Sequence, residues 1–214
     1  MPVLQRALHI DAFLASLTVT ASTLGMALTA PLAGRLSDRA GRKNTIVIAG
    51  LALAVSTFAA SQAFRLETLL FWRFLQGVFT PGIFAVTIAY IHDEWPAAEV
   101  GRGTSSYVGG TVIGGFLGRF LSGLIAAHTD WHVVFVVLGA LNLMSALVIW
   151  RFMPVESKKP APTAASFVSA AAEHFRNPRL IATYAVGFCV FFSLIATFTY
   201  INFYLSQPPF SLPT

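Results

Sequence analysis

The sequence predicts an all-α fold: a polytopic membrane helix bundle of about six transmembrane helices. Of the 214 residues, 56% are hydrophobic and only 11% charged, with a mean hydropathy of +0.70. That is too apolar for one soluble core and leaves too few charges to cover one. The apolar residues also fall in runs of about 20 to 25, which at about 1.5 Å rise per residue match a hydrocarbon layer roughly 30 Å thick. A segment in lipid must satisfy its backbone hydrogen bonds internally, so each run is expected to be a helix; the shorter alternating strands of a barrel are absent.

Taken in order, the expected spans are Ala12–Leu32, Thr45–Phe64, Leu69–Ile91, Thr104–Ala127, Val133–Phe152 and Leu180–Leu205. The first ends at the charged stretch GRLSDRAGRK, Gly34 to Lys43, and the second stops before Arg65. The third holds Arg73 and a proline, Pro81, expected to kink it. The fourth carries Gly110, Gly114, Gly118 and Ser122 every four residues, a small-residue face suited to close helix packing, together with Arg119. The fifth lies between Asp130 and the basic end at Arg151, and the sixth contains the single cysteine, Cys189. One cysteine inside an apolar run makes no intrachain disulfide and no cysteine-based metal cluster.

Between the fifth and sixth spans, the polar stretch PVESKKPAPT leads into SFVSAAAEHFRNP, where Phe167, Ala171 and Phe175 recur on one helical face. A short helix is expected there, ended by Asn177-Pro178; it either lies on the bilayer surface or serves as a spacer.

Orientation follows from the fourteen Lys and Arg residues. Arg35, Arg39, Arg42, Lys43, Arg102, Arg151, Lys158, Lys159, Arg176 and Arg179 fall on one side, against Arg6 and Arg65 on the other, which makes the Gly34 loop cytoplasmic. The pI of about 9.8 therefore reflects orientation rather than a nucleic-acid partner, which would need a contiguous basic face. Met1 to Asp11 shows no apolar region before a small-residue cleavage site, so no cleavable signal peptide is expected. On this orientation both termini lie outside, and the QPPFSLPT end follows directly on a span. The chain is accordingly expected to be a fragment or the product of a misplaced start.

Three segments resemble one family. Gly34-Arg-Leu-Ser-Asp38-Arg39-Ala-Gly41-Arg42-Lys43 resembles the G-x-L-[SA]-D-R-x-G-R-[KR] signature between helices 2 and 3 of the major facilitator superfamily. Arg73-Phe-Leu-Gln76-Gly77 resembles the family's R-x-x-Q-G motif in helix 4. Gly110-Thr-Val-Ile-Gly114-Gly115-Phe-Leu-Gly118-Arg119 resembles its helix 5 antiporter motif, with Gly115 where proline is usual and Arg119 where the last glycine stands. The departures resemble a bacterial efflux-type, arabinose-efflux-like branch, as does the ending Phe198 to Leu205.

The resemblance implies that the six spans are helices 2 to 7 of a twelve-helix fold. Residues 1–152 would then form part of the N-terminal bundle, 153–179 a cytoplasmic central loop, and 180–214 the first helix of a truncated C-terminal bundle. It implies a secondary active transporter of the cell inner membrane, moving a small solute, in the export direction, by alternating access. The alternative is a non-transporting membrane fragment or interaction protein derived from one. Its partners would be the solute, the lipid bilayer and the remaining transporter helices.

In that reading Gly34, Asp38, Arg39, Gly41, Arg42, Lys43 and Arg102 form a cytoplasmic gating latch. The glycines allow a tight turn, Asp38 holds a network with Arg102 as its candidate partner within the chain, and Arg42 and Lys43 face water and anionic lipid. A purely topological role for these charges is the competing view. Arg73 and Arg119, each very roughly 9 to 12 Å below the outer surface by helical rise, are intramembrane cations and therefore candidate functional groups. With Gln76 they are substrate-binding candidates for an anionic or polyhydroxylated solute; snorkelling or pairing with another helix would serve as well. Gly110, Gly114, Gly115 and Gly118 form the packing motif. No Asp or Glu lies deep in a span, and the histidines sit near interfaces, so proton coupling is not assignable. Neither cofactor nor metal is expected, nor enzyme activity, since no catalytic triad, metal-ligand or phosphate-loop spacing occurs.

Overall fold

A computed structural model of the chain describes residues 11–157 and 176–205. Six helices are present: α1 (Ala12–Ala40), α2 (Arg42–Ala60), α3 (Leu66–Glu94), α4 (Val100–His128), α5 (Trp131–Phe152) and α6 (Pro178–Leu205). All six are long and apolar enough to cross a membrane, and no strand occurs among the described residues. The chain divides into two units, residues 3–160 with α1 to α5 and residues 161–214 with α6. The short helix expected around Phe167 to Phe175 lies outside the described residues.

Most helices extend past an expected end where polar residues continue the helix, whereas α2 stops at Ala60, four residues short of the expected Phe64. The largest extension is in α1, which runs through Gly34 to Arg39 and stops only at Gly41. The GRLSDRAGRK stretch is thus mostly helix, and Gly34 makes no turn. Gly41 alone does, with φ 90° and ψ 147°, a backbone region that side-chain-bearing residues rarely adopt. At α6, Asn177-Pro178 starts a helix: the Arg179 N–H donates to Asn177 Oδ1 at 3.0 Å and proline takes the first helical position, where no N–H is needed.

In the first unit α1 packs along α3, α3 along α2 and α2 along α5, while α4 touches α3 and α5 only lightly. Lipid is as apolar as leucine, so close packing has to supply the association that hydrophobic burial supplies in water. Glycines permit it. A Cβ at Gly77 would overlap the Ser22 carbonyl of α1, and one at Gly25 would meet α3 backbone in return. Gly82 lies against Ala49, and Gly139 against the Phe58 ring. Thr29 Oγ1 adds an α1–α3 hydrogen bond to the Val78 carbonyl at 3.0 Å, near the point where Pro81 interrupts the α3 donor series. Leu24, Leu28, Leu32 and Leu36 of α1 form an exposed row. One apolar cluster (Ala60, Ala63, Leu69, Trp131, Phe135) closes one end of the unit. Ala33, Ile46 and Val86 pack near the charged end.

Candidate functional site

Polar chemistry concentrates at two places. At the charged end, Arg42 opens α2 and is the hub. Its Nη1 lies 2.9 Å from Asp38 Oδ1, one helical turn back across Gly41, and also donates to the buried Ser37 hydroxyl. Its Nε donates to Asp93 Oδ2 at the end of α3, 3.1 Å away. Contrary to the expectation that Arg42 faces water and lipid, its side chain is only 11% exposed. Two acidic groups and a hydroxyl compensate the burial. Glu156, in the stretch after α5, accepts the backbone N–H of Arg42 at 3.1 Å and that of Lys43 at 3.3 Å, capping the positive end of α2. Its carboxylate occupies the space a Cβ on Gly41 would need. Tyr90 Oη donates to the Pro154 carbonyl, and Glu94 accepts the Ser157 N–H, so the same stretch is also tied to α3.

The second place is a cavity of about 810 Å³ among α2, α3, α4 and α5. Its polar wall comprises Thr57, Arg73, Gln76, Asn142 and Ser145; the rest is glycine, leucine and phenylalanine. Arg73 Nη1 donates to Gln76 Oε1 at 3.2 Å, which turns the Gln76 amide nitrogen toward Thr57 Oγ1 at 3.1 Å. Asn142 Nδ2 reaches the same hydroxyl oxygen at 3.4 Å, and Thr57 passes its own proton to the Leu53 carbonyl at 2.6 Å. The guanidinium carbon stands 5.0 Å from the Phe135 ring centroid, a cation–π distance. Among the described residues Arg73 Nε is buried without a hydrogen-bond partner, and Arg73 joins no ion pair.

A helical bundle with a charged inter-helix hub and an intramembrane arginine at a cavity wall fits the family suggested by the motifs, and the Major Facilitator Superfamily model matches residues 1–213. The chain belongs to the major facilitator superfamily. It is 34% identical to an uncharacterized transporter of Buchnera aphidicola (subsp. Schizaphis graminum), over 99% of this chain and 52% of that protein. It is 29% identical to the inner membrane transport protein YnfM of Escherichia coli, over 98% and 51%. To the multi-drug resistance efflux pump PmrA of Streptococcus pneumoniae it is 30% identical, over 74% and 41%. The chain spans about half the length of the first two relatives. With six membrane-capable helices, this major facilitator chain is a multi-pass membrane protein.

Within the major facilitator framework the remaining expected residues separate. Asp38 pairs with Arg42, while Arg102 is exposed on the first turn of α4 and joins no ion pair among the described residues. Arg39 is exposed, and Lys43 enters the network through its backbone. Arg119 does not line the cavity; its Nη1 reaches its own helix at the Gly115 carbonyl, 3.3 Å away. Gly110, Gly114 and Gly118 have open space where a Cβ would stand, and Gly115 meets only Arg119. No described helix packs on the four-residue glycine repeat, and Gly114 and Gly118 line the cavity. Four participants escaped sequence reading. Asp93 and Glu156 are far from Arg42 along the chain; Thr57 and Asn142 are polar residues inside apolar runs, a signal that was present.

Proposed function

We propose that the whole protein is a secondary active transporter that exports a small solute across the cell inner membrane by alternating access, and that this chain supplies most of its first helical half. In this reading residues 1–152 belong to the first bundle, 153–179 to a cytoplasmic loop, and 180–214 open the second bundle. The observation that carries it is Arg73. A cation inside a membrane helix costs about 2.5–3.5 kcal/mol on insertion scales, and a role at a solute pathway explains why it is held at a cavity wall. Gln76 orients Arg73, and Thr57 and Asn142 continue the polar wall.

The Gly34–Lys43 motif acts as the latch. Asp38, Arg42 and Asp93 join the charged ends of α1, α2 and α3, and Glu156 ties the exit of α5 to them. Breaking these charge-assisted contacts in one state and remaking them in the other gives the two discrete arrangements that alternating access requires. The resemblance to an efflux pump and to an inner membrane transport protein supports direction and location.

The test is uptake and efflux of a solute panel in a null strain expressing the full-length protein. Gradient-dependent movement of at least one solute, reduced by Arg73→Gln at equal membrane abundance, is expected. Movement of no solute in either direction would overturn the reading.

A further inference from the structure

Thr57 stands at the junction of three helices with every hydrogen-bonding position filled. A hydroxyl offers one proton and two lone pairs. The Thr57 proton goes to the Leu53 carbonyl of its own helix, 2.6 Å away. Its oxygen accepts Gln76 Nε2 of α3 at 3.1 Å and Asn142 Nδ2 of α5 at 3.4 Å. Thr57 and Gln76 are both buried, and all three bonds are made within the chain. The filled hydroxyl in turn sets the sense of the Gln76 amide. With its proton committed, the Thr57 oxygen can only accept, so the network assigns the amide NH2 toward α2 and the amide oxygen toward Arg73. Arg73 Nη1 donates to that oxygen at 3.2 Å. A flipped amide would set two acceptors together at Thr57 and two donors together at Arg73, and unmet polar groups on a buried residue are costly.

Resting on the transporter reading above for its consequence, we infer that Thr57 is a positioning residue: its hydroxyl, acting through the Gln76 amide, sets where the Arg73 guanidinium stands. Cohesion of the bundle does not need the hydroxyl. α2 and α5 already meet closely where Gly139 lies against the Phe58 ring and Gly50 against Ala146, and α2 meets α3 where Gly82 lies against Ala49. Hydrogen bonds between membrane helices add little to association on average. What the hydroxyl adds is direction, which apolar packing cannot supply. From Arg73 onward each group donates to the next, Arg73 to Gln76, Gln76 to Thr57 and Thr57 to the Leu53 carbonyl, so the series ends on the α2 backbone. Asn142 takes the second lone pair from α5 and keeps the Thr57 proton on that carbonyl. Placement of the intramembrane cation thereby depends on α2 and α5, not on α3 alone.

The experiment is NMR of the full-length protein in nanodiscs with isotope-labelled arginine guanidinium nitrogens; the signal lost in Arg73→Lys identifies Arg73. Thr57→Val keeps the shape of the side chain and removes the hydroxyl, whereas Thr57→Ser keeps the hydroxyl and removes the methyl group. Thr57→Val is expected to shift the Arg73 Nε–H signal as Gln76→Leu does, and Thr57→Ser to leave it within its line width. In a Gln76→Leu background Thr57→Val should add no further shift, because the route to Arg73 is already cut. Thr57→Ala also removes the hydroxyl and carries the same expectation should the valine variant fail to fold. A shift on Thr57→Ser, which a purely packing role would give, overturns the inference. So does an Arg73 signal unmoved by loss of the hydroxyl, or a further shift in the Gln76→Leu background. The two readings fail separately. An Arg73 signal that follows the hydroxyl in a protein that moves no solute sinks the transporter and leaves the positioning; solute movement with an Arg73 signal indifferent to the hydroxyl does the reverse.

Discussion

Arg42 and Arg73 carry the same guanidinium on neighbouring helices and meet opposite surroundings. Arg42, at the charged end, has Asp38, Asp93 and Ser37 as side-chain partners, and its own backbone N–H is capped by Glu156. Arg73, inside the bundle, has one amide oxygen, one aromatic face and, among the described residues, a buried Nε with no partner. The difference shows that two guanidiniums in one bundle can be compensated to very different degrees. Arg42 has its partners within the chain and joins the ends of α1, α2 and α3, whereas Arg73 has no anionic partner among the described residues.

Four substitutions at the charged end measure how complete its network is. The largest loss is expected from Gly41→Val, about 2–4 kcal/mol, because a β-branched residue is forced to positive φ and its side chain displaces the Glu156 cap. Arg42→Gln follows at about 1–3 kcal/mol, since it leaves Asp38 and Ser37 short of a donor; the share from Asp93 is smaller because that carboxylate is partly exposed and screened. Glu156→Gln keeps an acceptor at the α2 end but removes its charge, and is expected to cost about 0.5–1 kcal/mol. Arg102→Gln should stay within about 0.5 kcal/mol, as expected for an exposed side chain outside the network. Thermal unfolding in nanodiscs measures all four. A loss on Arg102→Gln equal to that on Arg42→Gln would mean that the latch runs through α4 after all.

The helices were legible because a long apolar run bounded by charges has few alternatives in a membrane. Their ends were less so. The charges that mark the edge of lipid do not end a helix, and α1 continues through Gly34 to Ala40 before Gly41 turns the chain. The motif located Asp38 and Arg42, but Asp93 lies 51 residues and Glu156 114 residues away from Arg42, and no local periodicity reports such a pairing. The glycine repeat of α4 has no partner among the described residues. Regular spacing of small residues describes a shape without naming a partner, and the close approaches are made by Gly25, Gly77, Gly82 and Gly139, which stand in no such repeat. Arg73 and Arg119 looked equivalent by depth, and only the packing of α2, α3 and α5 separated them.

The contrast between a fully partnered arginine and one without an anion among the described residues is tested most directly by the thermal midpoint of Arg73→Gln beside that of Arg42→Gln, both in nanodiscs without added ligand. Loss of the Gln76 bond and of the Phe135 contact is offset by removal of an uncompensated buried charge, so Arg73→Gln should stay within about 1 kcal/mol of the unmodified protein, while Arg42→Gln falls well below it. A loss at Arg73→Gln as large as that at Arg42→Gln would show that Arg73 is a structural residue and contradict the account.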